Sequence, residues 1–208
     1  MMKSKNWKLI TLPFSKQNPI TVQVLGVCSC LAVTAQLKPA VVMALSVTVV
    51  VALANLIISL LRKTIPPRIR IIVQLVVVSM LVVLVDQVLK AYMYDVSKQL
   101  SVFVGLIITN CIVMGRLEAF AMSNPPLPSL MDGIGNGLGY SVVLVTLGFV
   151  RELFGSGTLW GYPVMEKLGL YNIGYENNGL MIMPPMALIL VGIIIWIHRT
   201  RNQDLCEK

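Results

Sequence analysis

Charge is what this sequence has least of. Only 12% of its 208 residues are Asp, Glu, Lys or Arg, about half the share found in ordinary soluble domains. That leaves too little polar surface to solvate a globule. Histidine occurs once, as His198 beside Arg199 at the end of the last apolar run, and no Ser–His–Asp set is legible. There is no Walker loop. The four cysteines, Cys28, Cys30, Cys111 and Cys206, lie in a chain with no extracellular domain to staple, so they do not make a disulfide framework. The net charge of +8 is spread over short loops, so lipid orientation explains it better than nucleic-acid binding.

What is present is apolar. Hydrophobic residues make up 56% of the chain and mean hydropathy is +0.80. Ala40 to Leu61 runs for 22 residues without a charge, enough at about 1.5 Å per residue to cover a bilayer core of roughly 30 Å. Six apolar segments stand out, at about 20–36, 40–61, 71–89, 101–115, 134–150 and 180–197. In lipid each peptide group must be paired internally, so helix is the economical backbone for all six. The expected fold is an all-α integral membrane protein of six transmembrane helices, forming one polytopic domain over 1–208.

The basic start (Lys3, Lys5, Lys8) leads into Pro13 and Pro19 rather than an apolar run and cleavage site, so it does not read as a signal peptide. With six crossings and a cytoplasmic N-terminus, 12 of the 17 Lys and Arg fall inside. The run "RKTIPPRIR" after the second segment adds most to that bias, and the positive-inside rule puts both termini (1–17 and 199–208) in the cytoplasm.

The layout repeats. Cys28 is the eleventh residue from Asn18 and Cys111 the eleventh from Ser101, each deep in a short segment followed by a long one and a third. The spacing predicts two three-helix repeats, about 18–97 and 98–198, with the first helix of each half-length. An odd number of crossings inverts the second copy, and such repeats place their sites near the midplane. Cys28 and Cys111 then face each other across a pseudo-twofold axis.

Several roles remain open for these thiols. They can pack as small hydrophobes, form a disulfide, or bind metal as soft thiolates. Iron–sulfur ligation needs four such donors. Cys28 and Cys30 point to different helix faces and Cys206 lies in the tail, so a second chain would have to complete the set. Asp86 and Asp132 are ionisable groups at membrane depth and stand as cation-path candidates. Against that, Asp86 has Lys90 at i+4, and Asp132 precedes a glycine-rich stretch that it can cap. Arg116 and Glu118, flanking the cytoplasmic end of the fourth segment, read as interfacial anchors or subunit contacts, and Arg151–Glu152 as an outer-face pair. "DGIGNGLGY" (Asp132 to Tyr140) lacks the preceding strand and following acid of a dinucleotide site. Its glycines suit close helix approach or an unwound start to the fifth segment.

At "SVFVGLIITNCIVMGRLEAFAM" (Ser101 to Met122) the chain resembles the family of D subunits from bacterial sodium-pumping NADH:quinone reductases. "NPITVQVLGVCS", "DQVLKAYMYDVSKQLSVF", "DGIGNGLGY", "RELFGSG" and "NGLMIMPP" extend the resemblance over about 18–198. A related polypeptide occurs in electron-transport complexes of the Rnf type, and the stretch before Cys111 favours the sodium-pump family. The resemblance implies an inner-membrane complex in which a paralogous E subunit shares an iron–sulfur centre, of the two-iron, two-sulfur kind. Each chain contributes two cysteines, here Cys28 and Cys111. It further implies electron transfer from a cytoplasmic NADH- and flavin-binding subunit to an outer-face flavin subunit, coupled to Na+ export. Flavin and nucleotide bind on other chains, and this one is not catalytic alone. Cys30 stands where the family pattern carries a small apolar residue, and Cys28 is preferred because Cys111 matches it in register. A transporter or scaffold protein without redox chemistry is the contrasting reading. The segment 151–179 is too long for a tight turn and suits docking of an outer-face partner.

Overall fold

The computed structural model describes residues 18–92, 105–160, 162–163 and 179–201. The tails, residues 93–104, Cys206 and most of the proposed outer docking segment lie outside that set. The described part begins with turns at 19–23 and a short helix α1 (Val27–Val33), followed by the long helices α2 (Leu37–Leu61) and α3 (Arg70–Tyr92). A helical turn at 105–108 precedes α4 (Cys111–Arg116), which continues as a π-helical turn, Leu117–Ala121. Helix α5 (Pro126–Ser156) leads into a two-stranded antiparallel ribbon, β1 (Thr158–Leu159) with β2 (Tyr162–Pro163). A 3-10 turn, Gly179–Met181, leads to α6 (Pro184–Arg201). Among the described residues, Leu37–Leu61, Arg70–Ala91 and Pro126–Ser156 are long and apolar enough to cross a membrane.

Helix α2 packs along α5, antiparallel. A Cβ on Gly133 would lie 2.8 Å from the Ala52 Cα, and one on Gly137 2.8 Å from the Thr48 Cα. Farther along, Ser141 Oγ donates to Ala44 O (3.3 Å) and Gly148 faces Ala40 and Leu37. Only residues without a side chain let two backbones approach this closely, as at small-residue interfaces in membranes. Each glycine costs about 1 kcal/mol of helix propensity relative to Ala. The long contact with α2 outweighs that cost.

The expected start of the fifth segment near residue 134 is therefore corrected. Helix α5 begins at Pro126, whose missing N–H costs nothing at a helix start, and runs for 31 residues. The glycines lie in its interior as packing sites, with no unwinding there. Asp132 is likewise inside α5 and caps nothing.

The two long helices are tied at both ends, crosswise. Ser59 Oγ of α2 donates to Asn124 O (2.6 Å) in the turn joining α4 to α5, and Asn55 Nδ2 donates to Ser129 O (3.2 Å) in the first turn of α5. At the opposite end, Arg151 of α5 donates to Thr34 Oγ1 and Glu152 accepts from the Leu37 N–H, at the turn joining α1 to α2. Arg151 also donates to Met181 O (3.1 Å) and Ile182 O, while Glu152 accepts from Trp160 N (2.9 Å). The expectation of Arg151 and Glu152 as a mutual pair is replaced by these separate duties. Each charge is buried and each is satisfied by hydrogen bonds, mostly to backbone, as buried ionised groups must be.

Helix α3 shows one buried stripe, Gln74, Val78, Leu81 and Val82, and exposes Ile72, Val76, Met80 and Val83. That is the pattern of a helix packed on one face and open to lipid on the other. Helix α6 buries only Ala187 and Val191, one turn apart, against α1 and α5.

The packing at Gly133 and Gly137 yields a test. Gly133→Val and Gly137→Val each force two backbones apart, and each is expected to lower stability by about 1–3 kcal/mol, read as a lower thermal midpoint of the purified protein. Gly192→Ala adds a Cβ with no other residue within 4 Å and is expected to leave that midpoint unchanged or raised.

Candidate metal centre

Both cysteines singled out by the repeat sit just after a break. The first apolar segment is helical only from Val27, because the backbone before it turns left-handed: Val24 has φ 54° and Gly26 φ 80°. For β-branched Val24 that conformation carries strain of order 1–3 kcal/mol. Asn18 organises the approach, accepting from Ile20 N (3.0 Å) and Thr21 N (3.2 Å) and donating to Gly139 O (3.3 Å). The fourth segment breaks at Thr109 and Asn110. Asn110 then caps α4, its Oδ1 accepting from Ile112 N (3.2 Å), the ordinary use of Asn before a helix.

Cys28 is the second residue of α1 and Cys111 the first of α4, and both thiols are exposed. Cys30 is fully buried, on the other face of α1 as its spacing from Cys28 requires. The two breaks touch. A Cβ on Gly26 would lie 2.7 Å from Ile112 Cδ1, and one on Gly115 would lie 3.0 Å from Leu25 Cδ1. Ser29 Oγ accepts from Tyr140 Oη (2.7 Å) and, at a longer 3.5 Å, from Asn110 Nδ2.

Chemically, the chain offers exposed thiols on two segments that meet. Among the described residues no group of three or more His, Cys, Asp or Glu side chains is placed to hold a metal. A four-thiolate site therefore requires donors from elsewhere, and the donor type present, thiolate without imidazole, fits iron–sulfur chemistry.

The candidate cation-path residues are both paired. Asp86 meets Lys90 Nζ at 2.6 Å, one turn on. Asp132 is clamped by Arg116, whose Nε reaches Oδ2 at 3.0 Å while Nη2 engages Oδ1, and Asn136 Nδ2 also donates to Oδ1 (3.0 Å). Arg116 lies over the Phe120 ring, 5.6 Å from its centre. Its expected place as an interfacial anchor is corrected: it is buried and joins α4 to α5. Glu118 pairs with Arg70 and accepts from Gln74 Nε2 (3.1 Å), which ties the π-helical turn to α3.

The sequence reading missed Tyr140 and the Arg116–Asp132 pair. A signal for the pair existed, since two opposite charges in apolar surroundings must find each other. Tyr140 gave none, because its partner is 111 residues away. Asp132→Leu strands Arg116 in the interior and is expected to lower stability by about 3–5 kcal/mol, read as a depressed thermal midpoint. The double variant Arg116→Met/Asp132→Leu is expected to recover most of that loss.

Comparison with known proteins gives the family. Residues 6–195 match the family model described as "Rnf-Nqr subunit, membrane protein". The D subunit of the Na(+)-translocating NADH-quinone reductase of Pseudomonas aeruginosa (strain LESB58) is 59% identical over 197 residues, 94% of this chain and 87% of that one. The protein of the same name from Shewanella sp. (strain W3-18-1) is 56% identical over 200 residues, 96% of this chain and 95% of that one. A chain with apolar helices built for a membrane and matched by the family model over nearly its whole length belongs to the Rnf-Nqr family of membrane subunits.

Proposed function

We propose that this chain is a membrane subunit of a sodium-translocating NADH:quinone reductase, and that Cys28 and Cys111 are its half of an iron–sulfur centre shared with a paralogous chain. The observation that carries the reading is the meeting of the two interrupted helices, each opening on an exposed thiol at the surface of the chain. Two thiols turned outward from touching segments are poorly explained by packing, since a packing thiol is buried, as Cys30 is. The names of the relatives, sodium-translocating reductase subunits, supply the setting.

When bound, a thiolate-ligated two-iron, two-sulfur centre supplies a one-electron carrier. This chain's residues do the rest of the local work. Cys28 and Cys111 would hold the centre through sulfur, as thiolates. Asn110 fixes the first turn of α4 and thereby the direction of Cys111. Gly26 lets α1 start beside Ile112 without a side chain in the way. Apolar α2 and α5 keep water from the inner side of the two breaks, which favours electron relay over side reactions. In the complex this role would set the chain between a cytoplasmic NADH- and flavin-binding subunit and an outer-face flavin subunit, with Na+ export by the whole assembly.

The inverted-repeat, six-crossing architecture belongs to the same proposal. It is supported by the antiparallel α2–α5 contact and by the crosswise ties at Asn124 and Thr34. With the basic clusters inside, both termini are cytoplasmic in a bacterial inner membrane. Asp86 and Asp132 remain the carboxylates a sodium path through this chain would use, and each would first have to leave its basic partner.

The experiment is iron content and low-temperature EPR of the purified complex carrying single substitutions. Cys28→Ala and Cys111→Ala are each expected to abolish the signal of the shared centre while the complex stays assembled. Cys30→Ala is expected to retain it. Full iron in both of the first two variants would leave the thiols with no redox role.

A further inference from the structure

The Ser29 hydroxyl has every hydrogen-bonding position filled. It donates to Gly26 O (2.8 Å) and accepts from Tyr140 Oη (2.7 Å) and Asn110 Nδ2 (3.5 Å). A hydroxyl carries one proton and two lone pairs, so nothing is left over. Three parts of the chain thus converge on one oxygen: the turn before Cys28, the cap of the helix that opens with Cys111, and the middle of α5.

Each partner is itself constrained. Tyr140 is wholly buried, and a Cβ on Gly26 would lie 3.3 Å from its ring. Asn110 cannot turn its amide over without losing the cap on Ile112 N. Helix α1, by contrast, cannot hold its own direction. It has seven residues, far below the length at which a helix is stable alone, and it starts from a left-handed Gly26. Its placement must come from outside, and the polar contacts available for that are those of Ser29 and of Thr34 at its far end.

We infer that Tyr140, acting through Ser29, is a positioning residue that holds the two thiol-bearing breaks in one fixed relation and so sets the geometry in which Cys28 and Cys111 receive a shared metal centre. The inference rests on the iron–sulfur reading above and adds to it the residue that makes the half-site rigid. It holds whatever the number of irons in the centre.

Tyr140→Phe removes one oxygen and keeps the ring against Gly26, so it isolates the hydroxyl. In the purified complex, Tyr140→Phe and Ser29→Ala are expected to keep the wild-type iron content. Both are expected to broaden the EPR lines of the reduced centre and to speed iron release to a chelator about fivefold, the scale of one lost hydrogen bond. Ser59→Ala removes a comparable bond to Asn124 O at the far end of α2 and is expected to change neither readout. Wild-type line widths and release rates in Tyr140→Phe would overturn the inference. So would equal broadening in Ser59→Ala, or a Tyr140→Phe complex that fails to assemble, because the hydroxyl would then serve general stability. Cys28→Ala and Cys111→Ala run alongside separate the two claims. Full iron in both overturns the iron–sulfur reading and this inference with it, whereas iron loss in both with an unperturbed Tyr140→Phe overturns the inference alone.

Discussion

Helices α2 and α5 lie against each other closely enough that two glycines are required, and the rest of the structure hangs on that contact. Lipid tails are as apolar as leucine, so helices in a bilayer gain little by hiding apolar surface and must instead gain from close packing. The Gly133 and Gly137 positions supply it, with Ser141 continuing the line toward Ala44. Once the two long helices are antiparallel and in register, the ends of each reach the turn that launches the other. Ser59 then meets Asn124, and Arg151 meets Thr34. A buried arginine and glutamate at one end would be a heavy desolvation cost if they did not each hold several backbone groups that otherwise lack partners in lipid.

That frame makes the interrupted helices tolerable. Inside hydrocarbon a broken helix exposes N–H and C=O groups that water cannot reach, so breaks survive only where protein satisfies them. Here Asn18, Ser29 and Asn110 do so, with Tyr140 reaching in from α5. The consequence for function is direct. Each break opens a helix on a cysteine, the two breaks touch, and the thiols face outward. Cys30, two residues from Cys28, turns inward and is fully buried, whereas Cys28 and Cys111 are exposed.

Much of this was legible in the sequence, and the reasons are physical. Long apolar runs announce membrane helices whatever their fold, and α2 and α3 appear close to where hydropathy puts them. The matching depth of Cys28 and Cys111 is a one-dimensional pattern from which half-length first helices were expected, and each cysteine does lie on a short helix. "DGIGNGLGY" misled because glycine is read as a helix breaker, a rule calibrated where water competes for the backbone; against α2 the same glycines are contact points. The pairing of Arg116 with Asp132, the separate duties of Arg151 and Glu152, and the reach of Tyr140 to Ser29 all depend on which helices are neighbours. No local pattern carries that information.

The central claim is that this chain holds half a site. Its most direct test is to purify the chain expressed alone and co-expressed with the proposed paralogous partner, and to measure iron and acid-labile sulfide in each. A shared site predicts no bound iron in the chain alone and, in the pair, about two irons and two sulfides, the composition of a single two-iron centre. Stoichiometric iron in the chain alone, or none in a correctly assembled pair, would contradict it.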